Sequence, residues 1–197
     1  IIGGTLTDNP GTVVENFVSD KDSAYYAEMF KRDGLSGGHV IMLGKGNDTE
    51  AFKALGEYPG GLQIGGGITS DNAEYYLEKG ASHVIITSYV FNEGAVNYKN
   101  LDRLVSVTGK DRLVLDLSCR RKDGVYYVVT DRWQKFTEIQ VNKKNLKELS
   151  GYCNEFLIHA ADVEGLCSGI EEELVEILAD CVDIPVTYAG GIRSFED

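Results

Sequence analysis

The chain has 197 residues, 43% of them hydrophobic and 25% charged, and a formal net charge of −12. That apolar content is enough for one sizeable core, so a single domain is expected, while the acidic balance argues against nucleic acid or an anionic membrane surface as a partner. No run of about eighteen apolar residues offers a membrane-spanning helix, and the first residues lack the basic-then-apolar build of a signal peptide.

Taken in chain order, helix and strand signals alternate. Ser19 opens an S-x-x-D box ahead of a helix with Tyr26, Met29 and Phe30 on one face and Gly34 as its stop. A strand is predicted over 39–43 (HVIML) and another over 62–65. Ser70 or Asp71 then caps a helix carrying Ala73, Tyr76 and Leu77, which ends at Gly80. Strands follow at 83–87 (HVIIT) and 112–117 (RLVLDL). The stretch 122–133 breaks the rhythm, because DGVYYVVTDRW reads as a hairpin-like excursion in the loop after a strand. A strand over 155–160 (EFLIHA), a helical stripe of Ile170, Leu174, Ile177, Leu178 and Cys181, and a strand over 184–189 complete the series. Most strands are continuous Val/Ile/Leu runs, as expected for strands buried on both faces of a parallel sheet. The class is α/β, either a (βα)8 barrel or an open doubly wound sheet.

A repeat bears on that choice. Gly66-Gly67-Ile68 and Gly190-Gly191-Ile192 lie 124 residues apart, and HVIMLG at His39 matches FLIHAA at Phe156 at an offset of 117. Two halves of four βα units give the eight strands of a TIM barrel, which typically has about 250 residues. The repeat places the partner of strand 83–87 beyond Asp197 and the partner of Asp116 before Ile1. The expectation is a (βα)8 TIM barrel built from two half-barrels, residues 1–110 and 111–197. It is incomplete here, with most of the first strand and the last βα unit missing.

Candidate site residues cluster at strand ends. Each GGI pair serves either a tight βα turn that needs positive φ or an anion cradle at a helix start. Two pairs at matching places favour two phosphate sites on one face, so Gly66 and Gly67 are read as one site and Gly190 and Gly191 as the other. Thr87 and Ser88, ending the next strand, can add hydroxyls to the first. Backbone dipoles let an acidic chain hold such a bisphosphorylated ligand. Asp116, after Leu113-Val114-Leu115, places a carboxylate at the C-terminal end of a strand, where barrel active sites lie; it is either an acid–base group or a capping or paired aspartate. Arg120 and Arg121 can pair with phosphate or with carboxylate. Trp133, the single tryptophan, either closes over a planar heterocycle or packs its loop on the rim. His159 is either a ligand contact or a satisfied buried histidine. His39 and His83 begin their strands on the opposite face and receive no chemistry. The four cysteines, Cys119, Cys153, Cys167 and Cys181, include no C-x-x-C pair, so they read as reduced thiols, with neither a disulfide framework nor a metal site.

The segments GGHVIMLG, LQIGGGI, HVIITSYVF, RLVLDLSCR, DRWQKFT, EFLIHAADVEG and IPVTYAGGI together resemble the eukaryotic-type phosphoribosylformimino-aminoimidazole carboxamide ribotide isomerases of histidine biosynthesis, over essentially the whole chain. The resemblance implies a duplicated (βα)8 barrel and a cofactor-free Amadori rearrangement, aminoaldose to aminoketose, on a bisphosphorylated substrate. It implies a monomer when complete, in the cytoplasm, or in the plastid of a photosynthetic eukaryote. Asp116 then corresponds to the second-half catalytic aspartate, the general acid that opens the ribose ring, and Trp133 to a loop tryptophan that stacks on substrate. Gly66, Gly67, Thr87 and Ser88 correspond to one phosphate site, and Gly190 and Gly191 to half of the other.

Three departures stand out. The first-strand aspartate that serves as general base and the closing strand lie outside this stretch, which is therefore expected to be inactive alone. Ala160 stands where bacterial relatives carry a threonine. Two other readings remain open on the sequence: the sister cyclase subunit of imidazole glycerol phosphate synthase, against which DLSCR and DRWQKFT argue, and a non-catalytic phosphoribosyl-binding protein.

Overall fold

A computed structural model of the chain describes residues 2–6, 13–130 and 133–197. Two antiparallel strands, β1 (Ile2–Leu6) and β2 (Val13–Val18), come first, followed by helix α1 (Ser23–Arg32). The chain then runs β3 (Gly38–Ile41), α2 (Asp48–Glu57), β4 (Leu62–Gly65), α3 (Ala73–Glu78) and β5 (Val84–Ile86). A small ribbon of β6 (Phe91–Asn92) and β7 (Ala95–Val96) precedes α4 (Tyr98–Thr108). The remainder is β8 (Leu113–Lys122), β9 (Val125–Thr130), β10 (Lys135–Gln140), α5 (Lys143–Leu149), β11 (Glu155–Ala160), α6 (Glu172–Cys181) and β12 (Val186–Ala189).

Six strands pair in parallel in the order β3-β4-β5-β8-β11-β12. Strand order therefore follows chain order without a reversal, whereas a doubly wound sheet reverses at a switch point. This is the arc of a (βα)8 barrel, and it decides between the two architectures left open by the sequence.

Alternation along the strands sorts their side chains onto two faces. Leu113, Leu115 and Leu117 of β8 and Phe156, Ile158 and Ala160 of β11 join the large core under the helices, with Leu55, Leu101, Leu104 and Leu174. Ile85, Val114 and Leu157 form a separate cluster on the inner face, with Ala189 against it. Below that layer Gln63 donates to Glu155 at 2.8 Å, and Thr187 donates to the other Glu155 oxygen at 2.6 Å. The inner face is thus polar, then apolar, then polar again towards the strand C-termini.

Several local expectations need correction. The start of α1 is capped by Asp22, whose side chain accepts from the Tyr25 N–H at 3.2 Å; Ser19 instead bonds the Lys21 backbone and the Tyr26 hydroxyl. Phe30 is exposed, and the buried member of that helix face is Ala27. Neither Ser70 nor Asp71 caps α3. Asn72 holds that position, while Ser70 meets the Tyr89 hydroxyl and Asp71 pairs with Arg103. Ile170 precedes α6 rather than riding on it. Helices α2, α4 and α5 add to those expected. In α4 and α5 the signal was an asparagine: Asn97 and Asn142 each accept from the N–H three residues on.

The expected continuous burial holds for β4 and β5 but not for β3, whose residues alternate in exposure, or for β12, none of whose residues is fully buried. Among the described residues no strand flanks the outer side of either, so Ile41 stays 45% exposed. The excursion after β8 is a hairpin, as expected, and extends further into a three-stranded meander of β8, β9 and β10. Its first turn is Asp123-Gly124, both at positive φ, which matches the twist of the flanking strands. All four cysteines are free thiols.

Candidate active site

Inward alternation along β8 aims Val114, Asp116 and Ser118 at the same face, and Asp116 sits above the apolar layer. Its carboxylate is a point of convergence. Thr87, just past β5, donates its hydroxyl to Oδ2 at 3.1 Å, and Ser118 donates to Oδ1 at 3.4 Å. The His159 Nδ1, from β11, lies 3.1 Å from Oδ1. The ladder explains the meeting: Ile86 pairs with Leu115, and Leu157 and His159 pair with Asp116 and Ser118. Only 14% of the Asp116 side chain is exposed, and 27% of His159. Burial pulls the His159 pKa down, but the hydrogen bond and charge of Asp116, with Glu164 behind them, outweigh it and leave the imidazole above its ordinary value.

Trp133 closes one side. Its ring centroid lies 6.5 Å from that of His159 at an interplanar angle of 39°, and its backbone takes φ +69, a left-handed turn. Arg120 fixes this turn by donating Nη1 to the Trp133 carbonyl at 3.2 Å and Nε to Asp162 at 2.7 Å. Asp162 also accepts the Arg121 N–H at 2.8 Å, tying the end of β8 to the loop after β11. Of the partners left open for the two arginines, both side chains take a carboxylate: Arg120 takes Asp162 and Arg121 takes Glu173.

The two glycine turns lie at the same end of the sheet, after β4 and after β12. Gly66 and Gly67 have φ +95 and +72; Gly190 and Gly191 have +120 and +73. A Cβ on Gly66 would stand 2.1 Å from the Met42 carbonyl oxygen, and one on Gly190 would stand 2.8 Å from that of Ala160. Both first glycines are thus dictated by close backbone approach. Gly67 borders a cavity of about 340 Å³ lined by residues 42–45, Asp48, Gly66 and Tyr76. Just past the second turn the Asp197 carboxylate accepts the Arg193 and Ser194 N–H groups at 2.6 and 2.9 Å. Those bonds hold the Asp197 pKa below the usual carboxylate range. Backbone N–H groups converge there on a negative oxygen, the geometry of an anion nest.

The structure therefore brings Thr87, Asp116, His159, Trp133 and Arg120 together, with the glycine turns on the same rim and exposed Ser88 beyond Thr87. Thr87 spends its hydroxyl on Asp116. Sequence reasoning missed Ser118, which the two-residue period of a strand would have placed beside Asp116, and Asp162, which only the fold brings to Arg120. Ala160 faces the outer core at 2% exposure, so the inward position at this strand end belongs to His159.

Residues 6–197 match the family described as histidine biosynthesis protein. The chain is 53% identical over 203 residues to a chloroplastic 1-(5-phosphoribosyl)-5-((5-phosphoribosylamino)methylideneamino)imidazole-4-carboxamide isomerase of Medicago truncatula, covering all of this chain and 65% of that protein. It is 49% identical over 205 residues to the isomerase of that name from Yarrowia lipolytica and 48% over 204 residues to the one from Saccharomyces cerevisiae. All of this chain is again covered, and 78% of each fungal protein. The chain thus spans about two thirds of the plant relative's length. A barrel arc with an aspartate at its strand ends, matched along nearly its whole length, places this chain in the histidine biosynthesis protein family.

Proposed function

We propose that this protein, like the relatives named as imidazole-4-carboxamide isomerases, is an isomerase, and that its reaction is an Amadori rearrangement converting the aminoaldose arm of the bisphosphorylated imidazole-carboxamide substrate to an aminoketose. The observation that carries the reading is the Asp116 carboxylate, gathered by Thr87, Ser118 and His159 at the mouth of the barrel. In this reaction an acid protonates the ribose ring oxygen as the C1–O bond breaks and the nitrogen lone pair closes a C=N bond. A base then takes the C2 proton, and reprotonation at C1 leaves a ketone at C2. C1 is reduced and C2 oxidised within one molecule, so electrons balance inside the substrate. Asp116 supplies the first proton.

The two glycine turns suit the two phosphoribosyl ends, Gly66 and Gly67 holding one and Gly190 and Gly191 the other, with Asp197 marking where backbone donors converge. Trp133, over His159, offers a face for the imidazole ring of the substrate. The chloroplastic relative supports a plastid location beside the cytoplasmic one read from the sequence. Among the described residues no helix is long and apolar enough to cross a membrane. The test is direct. Full-length protein incubated with the aminoaldose should produce a new ketone carbon in the ¹³C spectrum. Consumption of the aminoketose with ammonia, and none of the aminoaldose, would move the protein to the sister cyclase.

A further inference from the structure

Asp116 poses a chemical problem. An ordinary aspartic acid has a pKa of about 3.9, so near neutral pH only about one molecule in a thousand carries the proton that a general acid must give. A donor works best when its pKa lies near the working pH. The neighbouring groups show how this site meets that need.

We infer that His159 is the proton store behind Asp116, a positioning and proton-supplying residue that makes an aspartate usable as an acid near neutral pH. This rests on the isomerase reading above. The Nδ1 of His159 lies 3.1 Å from Asp116 Oδ1, while the other oxygen is engaged by the Thr87 hydroxyl. Trp133 lies against the imidazole, and the Arg120 bond to the Trp133 carbonyl holds that turn in place. Among the described residues Nε2 has no hydrogen-bond partner, and the side chain is 27% exposed, so water reaches the ring. In the step, the imidazolium passes its Nδ1 proton to Oδ1, and the carboxyl passes a proton to the ribose ring oxygen as the C1–O bond breaks. The neutral imidazole keeps its Nε2 proton and regains one at Nδ1 from water once product has left. One mobile proton thus crosses the Nδ1–Oδ1 contact.

The charged groups around His159 have opposing effects. Asp116 from β8 and Glu164 from the loop after β11 favour the imidazolium, and they outweigh the opposing effect of burial. Across the inner face, burial first and then the like charge of His159 lower the pKa of His39 on β3. On the side of β12 the neighbour in the ladder is Ala189, which does not titrate.

Two measurements on the full-length protein decide the matter. The first is the pH dependence of kcat/KM for wild type, His159→Asn and His159→Gln; the asparagine keeps a donor towards Asp116 but cannot titrate. Wild-type activity should fall on the alkaline side as the imidazolium is lost. In the variants that limb should move below neutral pH, with a loss of about tenfold or more at pH 7.5 and an unchanged KM. An alkaline limb that stays in place in both variants overturns the proposal. The second is an NMR titration of His159, which needs no turnover: its pKa should drop in Asp116→Asn, and an unchanged value also overturns the proposal. A wild-type protein inert on the aminoaldose at every pH would sink the isomerase reading and this use of the pair with it, although the NMR coupling would persist.

Discussion

The two glycine turns carry the same three letters and nearly the same backbone, yet they sit in different surroundings. At the second glycine of the first pair, Gly67, a Cβ would meet nothing within 4 Å. At its counterpart Gly191 a Cβ would stand 2.1 Å from the Gly169 carbonyl oxygen and 2.9 Å from a Val163 methyl. The loop between β11 and α6 lies over the second turn, and the Gly169 N–H donates to the Gly191 carbonyl at 2.9 Å. A GGI phrase therefore specifies a turn, and what the turn is open to is set by residues far from the phrase. The first turn presents an accessible backbone; the second is roofed by the loop after β11.

Substitutions can sharpen or break this contrast. The largest effect is expected at Gly66, where a methyl would collide with the backbone at the end of β3, which cannot step aside. Overpacking and a left-handed alanine together should cost Gly66→Ala about 3 kcal/mol or more, read as a denaturant midpoint. Gly191→Ala should come next, at about 2–3 kcal/mol, since the atoms it meets belong to a loop and a side chain that yield more readily. Gly67→Ala should cost only the strain of its φ, about 1–2 kcal/mol, yet it should weaken inorganic phosphate binding by calorimetry, because the methyl covers the open side. Equal stability losses at Gly67 and Gly191 would erase the distinction between the turns. Phosphate binding unchanged in a folded Gly67→Ala would remove the anion from the first of them.

The smallest effect concerns pH. His159 is held above its ordinary pKa of 6.5, so its pairing with Asp116 stabilises the fold fully below that value and the contribution is lost as pH rises through the raised pKa. The stability gap between wild type and His159→Gln should therefore be widest at about pH 6 and shrink on the alkaline side. A gap that grows with pH would reverse the sign of the interaction.

These surroundings also show where sequence reading stops. The βα order, the inward aim of Asp116 and the Asp-Gly hairpin follow from local pattern, since strand period and turn chemistry are short-range. Edge exposure does not, because the apolar run of β3 reads like that of β4 and only sheet position separates them. Nor does the partner of Thr87, whose hydroxyl donates to a carboxylate 29 residues away. Helix starts misled for a related reason: Ser19 and Asp22 both fit a capping pattern, and the tie was settled by the Ser19 hydroxyl finding Tyr26. His159 had two readings, and its partner lies on another strand.

The central claim is that Asp116 gives the proton that opens the ribose ring. Asp116→Asn in the full-length protein is the measurement that tests it most directly, because the amide keeps the shape and loses the proton. Turnover of the aminoaldose should fall by a factor of about 10²–10⁴ while the substrate still binds, since the glycine turns proposed to hold its phosphates are untouched. Turnover within a few-fold of wild type in a folded variant would contradict the account.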